Sequence, residues 1–354
     1  MWSSLLASVI VASATLNVAN AFPPTKRPHY CPPVSGDFLI KQYQLYPENA
    51  EYNPRTCELF MSVLFNASVA IYNTKTTKIK TIEFEGITRD PNHDYSLSGI
   101  GFNPVSGLLG VIVHSRAVFV TDGADISHDH FFIQYNLELK QEVSRLNLSE
   151  ISQHRYSGFQ DLEYDALGNT YIVGTFPSSI LKTGLDGLTV EEWYRMSEDV
   201  AIVKGFGGLS TIGDFVLTND DKTGQIFRLD LTQPKGIPVL VPHSPNTIID
   251  GGQDGICLPP KYNNTVLLVS QNNKGITVLR SADNWVSAEY LGQIPTPPEI
   301  AAERGAVTGA VQVASSVYMI ICHFWDPYVT PWGGAGNRTT FPMIDITSDV
   351  EAMF

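Results

Sequence analysis

Between Ser157 and Lys182 the chain alternates apolar and polar positions in three short runs. Phe159, Leu162 and Tyr164 mark the first run, a tight turn spans 165–169, and Thr170 to Gly174 is dense in β-branched and aromatic residues. A short loop holding Pro177 leads to a third run from Ser179. Period-two runs joined by turn residues predict the strands of an antiparallel meander. The pattern recurs. Residues 47–73 read strand, Asn-Pro turn, strand, Asn-Ala-Ser loop, strand, and 97–113 carry Asn103-Pro104 at the corresponding turn. Further units begin near Gly205, Gln253 and Thr308.

Equivalent points of the six units are Glu48, Ser98, Asp161, Gly208, Asp254 and Gly309. They lie roughly fifty residues apart, about the length of a four-stranded propeller blade. One such unit leaves both faces of its sheet uncovered, and radial stacking buries them between neighbours. The first run of each unit is small and Gly-rich, as strands crowded near an axis must be. The expected fold is an all-β six-bladed β-propeller. A closed barrel or a β-sandwich would not explain six similar units. The sixth unit is one strand short, and the apolar run 38–45 is free to complete it. An N-terminal closing strand is therefore expected, in a single propeller domain over 38–354.

Composition narrows the function. A net charge of -13 argues against nucleic acid as a partner, because phosphate binding needs a basic surface. Residues 5–18 are apolar and small, and Ala19-Asn20-Ala21 is an A-x-A cleavage signature. Residues 1–21 read as a signal peptide, followed by an extended Pro-rich arm over 22–37. An uncleaved anchor is the alternative, though the run is short for a bilayer. No other segment is long and apolar enough to span. The expected location is the secretory pathway, secreted or in its lumen. Sequons at Asn66, Asn147, Asn263 and Asn337 agree, each in an expected loop. In that compartment Cys31 and Cys57 are a plausible disulfide. Cys257 and Cys322 sit in apolar strands, as buried thiols or as a second bridge.

Candidate chemistry gathers where propellers bind ligands, at a channel mouth over the starts of the innermost strands. Those positions carry Glu48, Asn49, Ser98, Gln160, Asp161, Gln253 and Asp254, with Asn219 nearby. Carboxylates converging on one axis raise one another's pKa, so Glu48, Asp161 or Asp254 is a candidate acid. The plainer reading is that each caps its own strand. His323, before Phe324 and Trp325, is a candidate proton donor or acceptor beside an aromatic wall. Asp125 to His130 is a loop in which His128 and His130 have only a weak claim to a metal. His114 and His154 have no distinguishing context. No nucleophile elbow, phosphate loop or dinucleotide fingerprint occurs.

The phrases L-Y-P-E-N-A-E-Y-N-P, L-F-N-A-S-V-A-I-Y, G-F-Q-D-L-E-Y-D and G-N-T-Y-I-V-G-T-F-P-S-S-I carry a resemblance. The chain resembles a fungal family of secreted six-bladed propellers typified by the fourteenth gene product of the trichothecene mycotoxin cluster. A wider kinship takes in a yeast surface allergen, similar at Asp283-Asn284-Trp285, and fungal hetero-Diels–Alderases. The resemblance implies a part in making or binding a terpenoid-like metabolite. The expected activity is cyclisation or cycloaddition of a reactive terpenoid-derived intermediate. The alternative is non-catalytic binding of an apolar metabolite or lipid. A third possibility is a metal-dependent, lactonase-like hydrolase. Gluconolactonase-type propellers hold a divalent cation with Glu, Asn and Asp from three inner strands. Glu48 and Asp254 look like two of those ligands, but the Asn position falls at Gly207-Gly208. No cofactor is expected beyond that incomplete calcium or magnesium set.

Overall fold

The computed structural model describes residues 31–197, 203–245, 247, 249–250 and 252–354. The expected signal peptide, 1–21, and the arm as far as residue 30 lie outside the described residues. Six sheets follow one another along the chain, antiparallel except that the short strand His243–Ser244 runs parallel to Ala288–Pro295 in the fifth. Their inner strands are Pro47–Asn53, Tyr95–Phe102, Ser157–Tyr164, Phe206–Ile212, Gln253–Cys257 and Ala306–Val313. Each packs against the next, and the sixth packs against the first, so the sheets form the blades of a ring. The fold is a six-bladed β-propeller. No helix among the described residues is long and apolar enough to cross a membrane.

The ring closes through the sixth blade. Its own strands are Ala306–Val313, Ser316–Cys322 and Thr340–Asp345. Phe38–Lys41 adds the outermost strand, antiparallel, with Phe38 opposite Met343 and Lys41 opposite Thr340. The expected run to Leu45 stops being a regular strand after Lys41. Gln42 and Gln44 still donate backbone N–H bonds to Thr339 and Arg338. Cys31 and Cys57 form a disulfide that ties the chain ahead of the closing strand to the turn after the first inner strand. Cys257 and Cys322 are free thiols.

The apolar positions explain why the blades stack. Buried side chains gather into six clusters, one at each blade-to-blade interface. The cluster between blades six and one joins Ile40, Phe341 and Tyr318 to Leu59 and Tyr72, so the closing strand is fastened by its core as well as its backbone. Fully burying one such side chain contributes about 1.5–3 kcal/mol. Trp285, of the Asp283-Asn284-Trp285 phrase, is fully buried and donates its indole N–H to the Asn264 carbonyl.

Two features of the inner strands shape the channel. Every inner strand has a register shift against its neighbour at the same place: 47/50, 97/100, 159/161, 206/209, 253/256 and 307/309. A bulge re-aims the residues within it, and these bulges hold or adjoin Glu48, Asn49, Ser98, Gln160, Gly208 and Asp254. Inner strands of neighbouring blades also approach closely. A Cβ on Gly208 would lie 2.7 Å from the Ile256 nitrogen, and one on Gly99 would lie 2.7 Å from the Asp161 Cα.

Candidate functional site

Each inner strand runs from one end of the channel to the other, and a cavity opens at each end. The first, of about 480 Å³, lies over the strand starts. Glu48, Ser98, Gln160, Gln253 and Asp254 line its floor. Leu64, Phe65, Phe119, Phe324 and Trp325 line its apolar side. The second, of about 460 Å³, lies at the strand ends and is lined by Asn49, Glu51, Asp161, Glu163 and Cys257 among others.

The floor of the first cavity holds hydrogen-bonding groups that the protein leaves unused. Glu48 Oε2, Ser96 Oγ, Ser98 Oγ and both amide atoms of Gln253 are buried without a partner. Buried polar atoms are costly unless satisfied, so such a set is complementary to a polar ligand. Gln160 is partly committed, donating to Thr175 Oγ1 at 2.8 Å. Burial, with the charges of Asp254 and Asp161, pushes the Glu48 carboxyl well above the usual range. Asp254 is pushed up to about 7 by burial and the Asp221 carboxylate, with Lys204 and Asn272 opposing. Lys204 pairs with Asp221 at the edge of this floor.

The sequence-derived site residues divide. Glu48, Ser98, Gln160, Gln253, Asp254 and Trp325 share the first cavity. Asn49 and Asp161 line the second, because the bulge turns Asn49 away from Glu48. Asp161 is anchored there, accepting from Asn49 Nδ2 at 3.0 Å and from the Leu209 N–H at 2.9 Å. Burial pushes it up to about 7, and burial with the Asp161 charge does the same for Glu51. His323 is buried beside Phe341, pushed down to about 4 chiefly by desolvation, while Phe324 and Trp325 take the cavity wall. Asn219 is a brace: its Oδ1 accepts from the Gly208 N–H at 2.7 Å and its Nδ2 donates to the Asp254 carbonyl at 2.9 Å.

That brace bears on the divalent cation. The Asn219 amide fills the space beside Gly207, and both of its ends are spent on backbone groups. The third ligand of the gluconolactonase-type set is therefore missing. No group of three His, Cys, Asp or Glu side chains among the described residues is disposed to hold a metal. The residues do not fit that cation.

Several lining residues escape the inner-strand pattern. His114, Arg116, Asp221 and Asn272 all line the first cavity. In an antiparallel pair the end of the second strand lies beside the start of the first, as the pairings Ser96–His114, Phe206–Asp220 and Gln253–Gln271 show. Residues at or just past the second-strand ends therefore reach the same mouth. That offset is readable from sequence once the meander is assigned.

The chain is 31% identical over 342 residues to trichothecene biosynthesis protein 14 of Trichoderma arundinaceum, covering 91% of each. The chain belongs to the trichothecene biosynthesis protein 14 family. A second relative, core trichothecene cluster protein 14 of Fusarium sporotrichioides, is 27% identical over 91% of this chain and 88% of its own. No protein-family profile matches. Among solved structures, the major Malassezia sympodialis allergen Mala s 1 superposes with a TM-score of 0.74 at 18% identity, over 88% of this chain and 96% of the allergen. That likeness speaks to the fold alone. Within the protein 14 family framework, the first cavity is the candidate site.

Proposed function

We propose that this member of the protein 14 family takes part in fungal secondary-metabolite biosynthesis, binding an oxygenated terpenoid intermediate in the first cavity and assisting its ring closure as a general acid. The observation that carries this reading is that Glu48 and Asp254, carboxyls both pushed above the usual carboxylate range, share a cavity walled by aromatic rings. A protonated carboxyl donates to a departing hydroxyl and so makes it leave as water. Phe65, Phe119, Phe324 and Trp325 form the apolar wall, with the Arg116 guanidinium over Phe65 and the Arg304 guanidinium over Trp325. The cavity also holds the intermediate in a folded shape, so that the closing atoms meet without an entropic search. The relatives' names, a trichothecene biosynthesis protein and a core trichothecene cluster protein, supply the metabolite class.

A non-catalytic binder of apolar metabolites would have little use for a floor of unpartnered carboxyl, amide and hydroxyl groups. The experiment is conversion of the oxygenated precursor that accumulates in a producing fungus lacking this protein, followed by mass spectrometry. Wild-type protein is expected to yield the cyclised product, and Glu48→Gln and Asp254→Asn to slow it roughly a hundred- to ten-thousand-fold. Precursor bound but unchanged by the wild type would leave the binding reading in place of the catalytic one.

A further inference from the structure

His114 belongs to no motif, yet its ring lines the first cavity. It stands near the end of the strand Leu108–Ser115, opposite Ser96. Its Nδ1 lies 3.2 Å from the Ser115 carbonyl oxygen. A carbonyl only accepts, so Nδ1 carries the proton and Nε2 carries a lone pair. Phe119 packs edge-on to the ring at 4.8 Å and fixes its plane. No hydrogen bond or ion pair within the described residues occupies Nε2. Burial, with the nearby Arg116 charge, pushes the imidazole down to about 4 against the opposing effect of the Ser115 bond, so it is neutral at physiological pH. The same cavity contains the free Glu48 Oε2 and the free Gln253 amide. A lone-pair acceptor and a carboxyl donor therefore share one small chamber.

Resting on the reading of this mouth as the terpenoid site, we infer that its substrate is a terpenoid alcohol bearing a second oxygen on the same edge, with one hydroxyl donating to His114 Nε2 and the other oxygen accepting from the Glu48 carboxyl. A hydrocarbon would leave both groups unpaired. The arrangement also closes the proton balance of ring formation. The departing hydroxyl takes the Glu48 proton and leaves as water as its C–O bond breaks. The second hydroxyl forms the new C–O bond and passes its proton to His114. Transfer from His114 back to Glu48 through water restores both groups, and the net change is loss of one water. A weakly basic imidazole suffices, because an oxygen that has attacked a carbocation is an oxonium, a far stronger acid than imidazolium.

Calorimetry with a saturated, unreactive diol of trichothecene skeleton and with its two mono-O-methyl ethers tests this. Methylation removes the donor that His114 needs, whereas an ether oxygen still accepts from Glu48. The wild type is therefore expected to bind one ether about tenfold more weakly than the diol. His114→Phe keeps a flat ring, removes the acceptor, and is expected to bind that ether and the diol alike. Equal binding of the diol and both ethers by the wild type overturns the role of His114 while leaving the mouth as the binding site, and that comparison needs no variant to fold. Discrimination that persists in folded His114→Phe overturns it too. Failure of the wild type to bind the diol at all overturns both this inference and the function on which it rests.

Discussion

Asp254 shows how one residue ties the site to the stability of the fold. Half-buried beside Asp221 and Lys204, with Asn272 as its hydrogen-bond partner and the Glu48 and Asp161 carboxyls nearby, it is pushed up to about 7. An unfolded Asp releases its proton near pH 4. Between those values the folded protein binds a proton that the unfolded chain does not, so stability falls as pH rises from about 4 through 7. Asp254→Asn removes that penalty. The variant is expected to melt above the wild type at pH 8, and the gap is expected to shrink toward pH 5. Melting curves at the two pH values check this, and a gap independent of pH would contradict it. The same substitution is expected to slow product formation, so function and stability move in opposite directions at this residue. The sequence brings Asp254 into view because it begins an inner strand. The unused acceptor of His114 is not visible there, since it depends on a backbone carbonyl one residue away and on the packing of Phe119.

Among the strands, the period-two pattern and the recurring turns were legible for a local reason. Asn53, Asn103 and Asp165 each end or follow an inner strand, and each accepts backbone N–H bonds from residues just beyond. These side chains define the turn and so mark the strand end in the sequence. The inner-strand bulges were not legible. Glu48 and Asn49 are adjacent, and within the register shift at 47/50 one lines each cavity. The same kind of shift, at 159/161, accompanies the separation of Gln160 from Asp161. A plain alternating strand leaves no trace of that in its composition. The closing strand was legible because the sixth unit is one strand short. Deleting 38–41 removes the outer partner of Thr340–Asp345 and uncovers the Phe341–Tyr318 side of the core. An exposed edge beside an apolar face aggregates. Light scattering and thermal melting should show association and a lowered transition, and a monomeric deletion variant with unchanged melting would refute closure.

For the molecule as a whole, the ring supplies two chambers that carry acids, and the first sets its acids against Phe65, Phe119, Phe324 and Trp325. The surface also sorts the sequons. Asn66 is buried, donates to the Gln44 carbonyl at 3.4 Å and accepts from the Trp332 indole at 3.2 Å, so no glycan fits there once the blade has folded. Asn147 caps a short helix with its side-chain oxygen. Asn263 and Asn337 are exposed. We expect the native protein to lose residues 1–21 and to carry glycans at Asn263 and Asn337, as read by intact-mass analysis and peptide mapping. A retained Met1 without glycan mass would end the secretory reading. The central claim is that chemistry belongs to the first cavity, and one paired comparison tests it most directly. Conversion of the oxygenated terpenoid precursor should fall at least about a hundredfold in Glu48→Gln and stay near wild type in Glu163→Gln, its acidic counterpart in the second cavity; loss of conversion in Glu163→Gln with full activity in Glu48→Gln would contradict it.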